Sequence, residues 1–194
     1  TKRFGGIWQS DEAEIAKIYN AEPGDYKIID RNRNNIIDDD DRDFVGQTTP
    51  QFFGSFSNTF KSHGFDLTIF LTYAGGHKIY NPFAYLDSYS PSANMSPDYY
   101  HNYWTPERPS NKYPRLGSTN SQLYETDGMY QKGDYIRLKN LELGYTLPRN
   151  IANKVYASNI RVYASVQNLV TFTKYTGFDV ETSNANPYPA CRVF

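Results

Sequence analysis

The feature that most constrains this chain is an alternation of period two across residues 51–74. Phe52, Gly54, Phe56, Asn58 and Phe60 share one parity, while Gln51, Phe53, Ser55, Ser57 and Thr59 share the other. After Lys61-Ser62-His63-Gly64, the residues Phe65, Leu67, Ile69, Leu71 and Tyr73 alternate with Asp66, Thr68, Phe70 and Thr72. This period gives each strand one apolar face, and the four residues between them supply a hairpin loop in which Gly64 can take positive φ. Pairing Phe60 with Phe65 sets Phe56 against Ile69, Gly54 against Leu71 and Phe52 against Tyr73, so both apolar faces fall on the same side. Aromatics bracket that face: Phe60 and Phe65 at the turn, Phe52 and Tyr73 at the open end. The intervening strand is about 26 Å long at ~3.3 Å per residue. A tilt of about 40° reduces this to around 20 Å of height, close to the ~25 Å apolar band of an outer-membrane barrel. Phe52, Phe60, Phe65 and Tyr73 are therefore the expected membrane girdle.

Two further strands are expected. One runs from about Tyr135 to Leu147, with Leu141, Leu143, Tyr145 and Leu147 on one face; Arg137 and Lys139 continue that parity and would reach anionic headgroups. Pro148 stops it. The other spans about Ile160 to Gln167, with Ile160, Val162, Ala164 and Val166 opposite Arg161, Tyr163, Ser165 and Gln167. Arg192-Val193-Phe194 could begin another. Connections alternate between shorter (61–64, 148–159) and longer (75–132, 171–190), the asymmetry of outer-membrane barrels whose long loops are extracellular. The expected fold is thus all-β: an antiparallel up-and-down transmembrane β-barrel segment of four to five strands. Residues 1–50 are expected to form an extracellular loop region, with a short helix capped by Ser10 and acidic in its first turn.

Composition removes other classes. The chain of 194 residues is 16% aromatic yet hydrophilic overall, with 20 Lys+Arg against 21 Asp+Glu. No run of about 18 apolar residues exists, which excludes a transmembrane helix but not transmembrane strands. A net charge of −1 gives no nucleic-acid footprint. The single Cys191 cannot form an intrachain disulfide. No apolar leader segment follows Thr1, and the start without Met suggests a piece of a longer protein.

One loop has metal-ligand spacing. Asp30, Asn32 and Asn34 occupy positions 1, 3 and 5 of an EF-hand-like array, with the Ile36 carbonyl at 7, Asp38 at 9 and Asp41 at 12. Such an oxygen set suits a structural Ca2+, although Asn35 replaces the turn glycine and Asp41 the bidentate glutamate. The plainer reading is an Asx-rich surface loop without metal. Tyr80, Phe83, Tyr85, Tyr89, Tyr99 and Tyr100 are candidates for contact with a substrate or a covering lid, whereas Tyr103-Trp104 is expected to pack. His63, His77 and His101 lie in turns and loops without catalytic spacing, and no nucleophile elbow or phosphate loop occurs. An enzyme is not expected.

Several blocks occur in order: Pro23-Gly24-Asp25-Tyr26-Lys27, the Asp30–Arg42 segment, Gly64-Phe65-Asp66-Leu67 and Tyr103-Trp104-Thr105-Pro106-Glu107. Tyr113-Pro114-Arg115-Leu116, Ile136-Arg137-Leu138-Lys139-Asn140, Leu143-Gly144-Tyr145, Gln167-Asn168-Leu169 and Thr171–Tyr175 follow. Together they resemble the SusC/RagA family of TonB-dependent outer-membrane transporters. The resemblance implies the C-terminal part of a barrel of about 22 strands from a Bacteroidetes-type outer membrane. It also implies a SusD-like lipoprotein as lid, the TonB complex acting through a missing N-terminal part, and uptake of glycans or peptides. The family continues past Arg192 with a complete final strand, so Phe194 is expected to be a truncation point. The alternative is a soluble calcium-dependent carbohydrate-binding β-sandwich, whose strands would also show one apolar face.

Overall fold

The computed structural model describes residues 1–81, 97–118, 125–181 and 191–194. Its elements in chain order are β1 (Phe4–Ile7), α1 (Ala13–Ile18), β2 (Tyr26–Ile28), β3 (Phe52–Ser62), β4 (Phe65–Gly75) and β5 (Lys78–Tyr80). They continue with α2 (Pro97–Asn102), β6 (Tyr130–Lys132), β7 (Tyr135–Thr146), α3 (Arg149–Ala152) and β8 (Arg161–Thr173). Two compact units form, one from residues 1–46 and 80–131, the other from 47–79 and 132–194. This grouping differs from the sequence division at residue 50 in gathering residues 80–131 with the N-terminal segment.

The reason lies in the core of the first unit. Ile7, Tyr26, Trp104 and Met129 bury one another, with Phe4, Tyr80 and Tyr130 packed around them. β1 and β2 pair antiparallel and carry Ile7 and Tyr26 into this cluster. Gly24, at φ +91°, lies against Trp104: a Cβ there would come within 2.5 Å of the indole. Only glycine meets both conditions, the left-handed backbone and the close approach. Beside it, Asp25 accepts hydrogen bonds from Arg115 Nε at 2.9 Å and Ser118 Oγ at 2.8 Å.

The expected helix exists, preceded by a 3-10 turn over Ser10–Glu12, but Ser10 is not a cap: Gln9 caps the 3-10 turn and Glu12 stands at the cap of the helix. Glu12 Oε2 accepts the Gln9 backbone N–H at 3.0 Å, the return half of a capping box. The Gln9 side chain is also a hub: Nε2 donates to the Ile7 carbonyl at 2.7 Å, and Oε1 accepts from Trp104 Nε1 at 3.1 Å. The long-range bond from Trp104 fixes Gln9 at this cap, against the stronger intrinsic preference of serine.

The second unit is one antiparallel sheet in the order β3-β4-β7-β8. The hairpin is tighter than expected. Ser62 pairs with Phe65, Phe60 with Leu67, Phe56 with Leu71 and Phe52 with Gly75. Only His63 and Gly64 form the turn, at φ +50° and +86°, and two successive positive φ values match the strand twist in a two-residue turn. The shift of two residues leaves the side-chain parity intact, so the expected face survives the corrected register.

β7 departs more seriously. Ile69 pairs with Leu141 and Phe70 with Asn140, but Leu71 pairs with Leu138. Lys139 is passed over in this pairing and again against β8, where Asn140 meets Gln167 and Leu138 meets Val170. A bulge of this kind reverses the facing of every residue beyond it. Leu138 and Ile136 consequently join the apolar face, and Arg137 turns to the polar one. The expectation that Arg137 extends the apolar parity toward headgroups is overturned.

Candidate functional site

The two faces of the sheet define the site. On the apolar face, Leu67, Ile69 and Leu71 of β4 run beside Leu143, Leu141 and Leu138 of β7, followed by Ala164, Val166 and Val170 of β8. The four expected girdle aromatics share this face and project from it, with Phe52 56%, Phe60 57%, Phe65 53% and Tyr73 40% exposed. A contiguous exposed apolar face rimmed by aromatics is the mark of a lipid or protein contact surface. Tyr145 lies against Phe65, ring centroids 4.5 Å apart, at the turn end. At the other end Phe52, Tyr73, Ile136 and Phe172 form a row across all four strands, since Ile136 pairs with both Tyr73 and Phe172.

Two glycines make room for the aromatics of that row. A Cβ on Gly75 would lie 2.4 Å from the Phe52 ring, and one on Gly54 would lie 2.6 Å from Tyr73 Oη. Each ring thus lies across the glycine of the neighbouring strand, covering backbone that glycine leaves bare.

The opposite face carries the charges, in two clusters that side-chain parity alone did not reveal. Arg161 at the start of β8 reaches across β7 to Asp66 on β4, with Nε 3.1 Å from Oδ1 and Nη2 2.5 Å from Oδ2, and also meets Glu142 at 2.6 Å. Gly144 lies beneath this guanidinium, where a Cβ would come within 2.4 Å of Nη2. The second cluster centres on Arg137, whose side chain is 3% exposed. Its Nη2 donates to Asp179 at 2.5 Å, Nη1 to Glu181 at 2.7 Å and Nε to Thr171 Oγ1 at 2.9 Å. Lys139, the bulge residue, donates to the same Glu181 at 3.0 Å. Every hydrogen-bonding edge of the buried guanidinium is engaged, as burial of such a charge requires.

The Asx-rich loop is closed by its own backbone. Asp30 accepts from the N–H of Arg33 at 2.6 Å and of Asn35 at 2.8 Å; Asn32 accepts from Asn34, and Asn34 from Ile36. Asn35 takes φ +64°, the left-handed conformation an EF-hand-like loop asks of its sixth residue. Fully buried Asp41 accepts from Arg31 and Asp38 N–H groups, and Asp38 from Asp40. Desolvation pushes the Asp30 carboxyl up, but the N–H donors and the Tyr19 hydroxyl outweigh it and hold the carboxyl below its ordinary range. Among the described residues no three carboxylates or imidazoles converge as a metal cluster. Any cation here would depend on amide and carbonyl oxygens as well.

The aromatic candidates separate. Phe83, Tyr85 and Tyr89 lie outside the described residues. Tyr100 is 60% exposed, whereas Tyr99 is 2% exposed. Tyr99 packs edge-on against Tyr113, so it is a core residue and not a surface contact. Its position on α2 turns it inward while its neighbour turns out. Tyr80 is half-buried and packs edge-on against Tyr130. Trp104 is buried, as expected for its block.

No protein-family model matches the chain. Individual proteins do. A TonB-dependent receptor of Formosa agariphila is 34% identical over 186 residues, 94% of this chain and 18% of the relative. The TonB-dependent receptor SusC of Bacteroides thetaiotaomicron is 27% identical over 179 residues, 90% of this chain and 17% of that protein. Among solved structures, the RagAB peptide importer in its open-open state superposes with a TM-score of 0.72 at 23% identity, covering 93% of this chain and 19% of its own. A further RagAB peptide transporter structure gives 0.73 at 24% identity. These two likenesses speak for the fold. The chain spans less than a fifth of the length of the two receptors. The relatives are receptors and not enzymes, in agreement with the sequence. An open antiparallel sheet with one apolar face matches a section of a closed barrel wall. Over nearly its whole length the chain is similar to TonB-dependent receptors, SusC among them, and its sheet has the fold of a segment of the RagAB barrel wall.

Proposed function

We propose that this segment is part of the wall of an outer-membrane transporter that imports glycans or peptides. The observation that carries this reading is the two-faced sheet: an exposed apolar face framed by aromatics, backed by a polar face of ion pairs. In a barrel the first faces lipid and the second the lumen. TonB-dependent receptors are outer-membrane proteins as a class, which supports the same location for this chain. The turn at His63-Gly64 and the short connection through α3 are then periplasmic, and the long connections extracellular. A soluble β-sandwich would bury the apolar face beneath a second sheet; the exposure of Phe52, Phe60, Phe65 and Tyr73 argues against it.

The proposed partners are a SusD-like surface lipoprotein and the TonB complex, the latter engaging parts of the protein beyond this chain. The family resemblance allows a glycan or a peptide cargo, and the RagAB neighbours are peptide importers. Tyr100 is the described aromatic best placed by exposure for substrate or lid contact. A structural Ca2+ at Asp30, Asn32, Asn34, Ile36, Asp38 and Asp41 belongs to this reading too, supported by the spacing and by the left-handed Asn35. The test is growth of a strain carrying the full-length receptor on defined glycans or peptides as sole nutrient. Co-purification of a surface lipoprotein completes it. A receptor that fractionates as a soluble protein would overturn the proposal.

A further inference from the structure

We infer that the open end of the apolar face holds an anionic lipid, its phosphate on Lys132 and Lys174 and its acyl chains along Phe52, Tyr73, Ile136 and Phe172. These residues line one groove with a volume of about 730 Å³. The four apolar side chains come from four different strands and form a continuous row, as the register requires. Gly54 and Gly75 let the two aromatic rings on β3 and β4 lie across the sheet, which shapes the floor of the groove.

The two lysines are the basic residues that line this groove, and they differ from the basic residues of the polar face. Arg137, Lys139 and Arg161 are all engaged with carboxylates. Lys132 and Lys174 are exposed and form no ion pair or cation–π contact among the described residues. Lys174 follows Phe172 in the apolar parity beyond the end of β8. Asp134 also lines the groove, but its Oδ1 already accepts the Gly76 N–H at 2.7 Å. Two ammonium groups against the one carboxylate of Asp134 leave this edge of the apolar row net positive, which complements a phosphorylated lipid at headgroup depth. A free phosphate would use the lysines alone, whereas a lipid uses the lysines and the adjoining apolar row together; the row therefore favours a lipid.

This inference rests on the membrane placement proposed above, and the experiment separates the two. The full-length receptor is purified in detergent and offered phosphatidylglycerol or phosphatidylcholine, with retention read by native mass spectrometry. Each lysine beside an anionic headgroup is worth on the order of fivefold in affinity. K132A/K174A should therefore lower phosphatidylglycerol retention by roughly thirtyfold and remove its preference over phosphatidylcholine, while K132R/K174R retains both. Inorganic phosphate at millimolar concentration should not displace the lipid. Equal retention by the double alanine variant, or displacement by phosphate, overturns the inference. In parallel, Trp introduced by F172W is tested for quenching by brominated acyl chains in vesicles. Absence of quenching would sink the membrane placement itself; quenching without phosphatidylglycerol preference would sink only the lipid site.

Discussion

Arg137→Met should free the segment at residues 179–181 from the polar face of the sheet. The Arg137 and Asp179 side chains are 3% and 8% exposed, so water screens neither charge. The guanidinium meets Asp179 at 2.5 Å, Glu181 at 2.7 Å and Thr171 at 2.9 Å. Methionine keeps an unbranched apolar stem, so the substitution removes the charge and leaves little cavity. Breaking a buried pair from one side costs about 3–5 kcal/mol, because the remaining charge is left uncompensated. Even the lower figure makes local opening roughly 150-fold more frequent, since about 1.4 kcal/mol is a factor of ten. Hydrogen exchange on the full-length receptor reads this at the Glu181 amide, which donates to Asp179 Oδ1 at 3.0 Å. Peptides covering residues 175–181 should exchange about two orders of magnitude faster, with those of β4 unchanged. Adding Asp179→Asn removes the stranded charge and should recover much of the protection. Unchanged exchange at Glu181 in the single variant would refute the reasoning. Loosening spread evenly over β7 and β8 would assign Arg137 to the sheet instead.

Three other perturbations have definite signs. Gly75→Ala drives a Cβ to 2.4 Å from the Phe52 ring, so the ring must leave the groove floor; overpacking of this kind costs about 1–3 kcal/mol. The heat-modifiable band of the folded barrel should melt at lower temperature, and an unchanged midpoint would contradict the packing. Acid should loosen the start of α1. The hydrogen bond from Lys27, with the Gln9 N–H, holds Glu12 below its ordinary 4.5 despite desolvation. A depressed carboxyl contributes stability that is complete above 4.5 and lost as pH falls through its lower, folded value. Exchange of the Gln9–Ala13 amides, corrected for intrinsic rate, should accelerate only below that ordinary value, and Glu12→Gln should abolish the pH step. Finally, millimolar calcium should protect residues 25–45 of the intact receptor from protease; calorimetry showing no uptake at that concentration would remove the metal from the account.

The sequence was legible where a period repeated without interruption. The strands of the β3–β4 hairpin and their apolar face could be read directly, because a shift of two residues preserves parity; the same property concealed the true register. The His63-Gly64 turn was less visible because His rarely takes positive φ, and a four-residue loop explained Gly64 as well. The bulge at Lys139 was marked only by a change of apolar parity, from Ile136 and Leu138 to Leu141 and Leu143, and extending the later parity by number to Arg137 and Lys139 passed over it. Only pairing with β4 and β8 shows that the facing reverses. Long-range partners were likewise out of reach. Nothing near Gln9 announces Trp104, and nothing near Arg137 announces Asp179. Tyr99 and Tyr100 are adjacent and chemically alike, and the turn of α2 alone sends one inward.

The most direct test of the central claim is a site-directed spin-label scan of residues 136–145 in the full-length receptor reconstituted into bilayers. Accessibility to oxygen, which concentrates in lipid, and to a polar nickel reagent would be measured at each position. Labels at 141, 143 and 145 should be oxygen-accessible, as should those at 138 and 136, so that the period-two pattern changes phase across Lys139. Positions 137, 140, 142 and 144 should favour the polar reagent or be shielded from both. An uninterrupted alternation that places 137 with 141 would contradict the bulge. A strand with no oxygen-accessible face would contradict the barrel wall altogether.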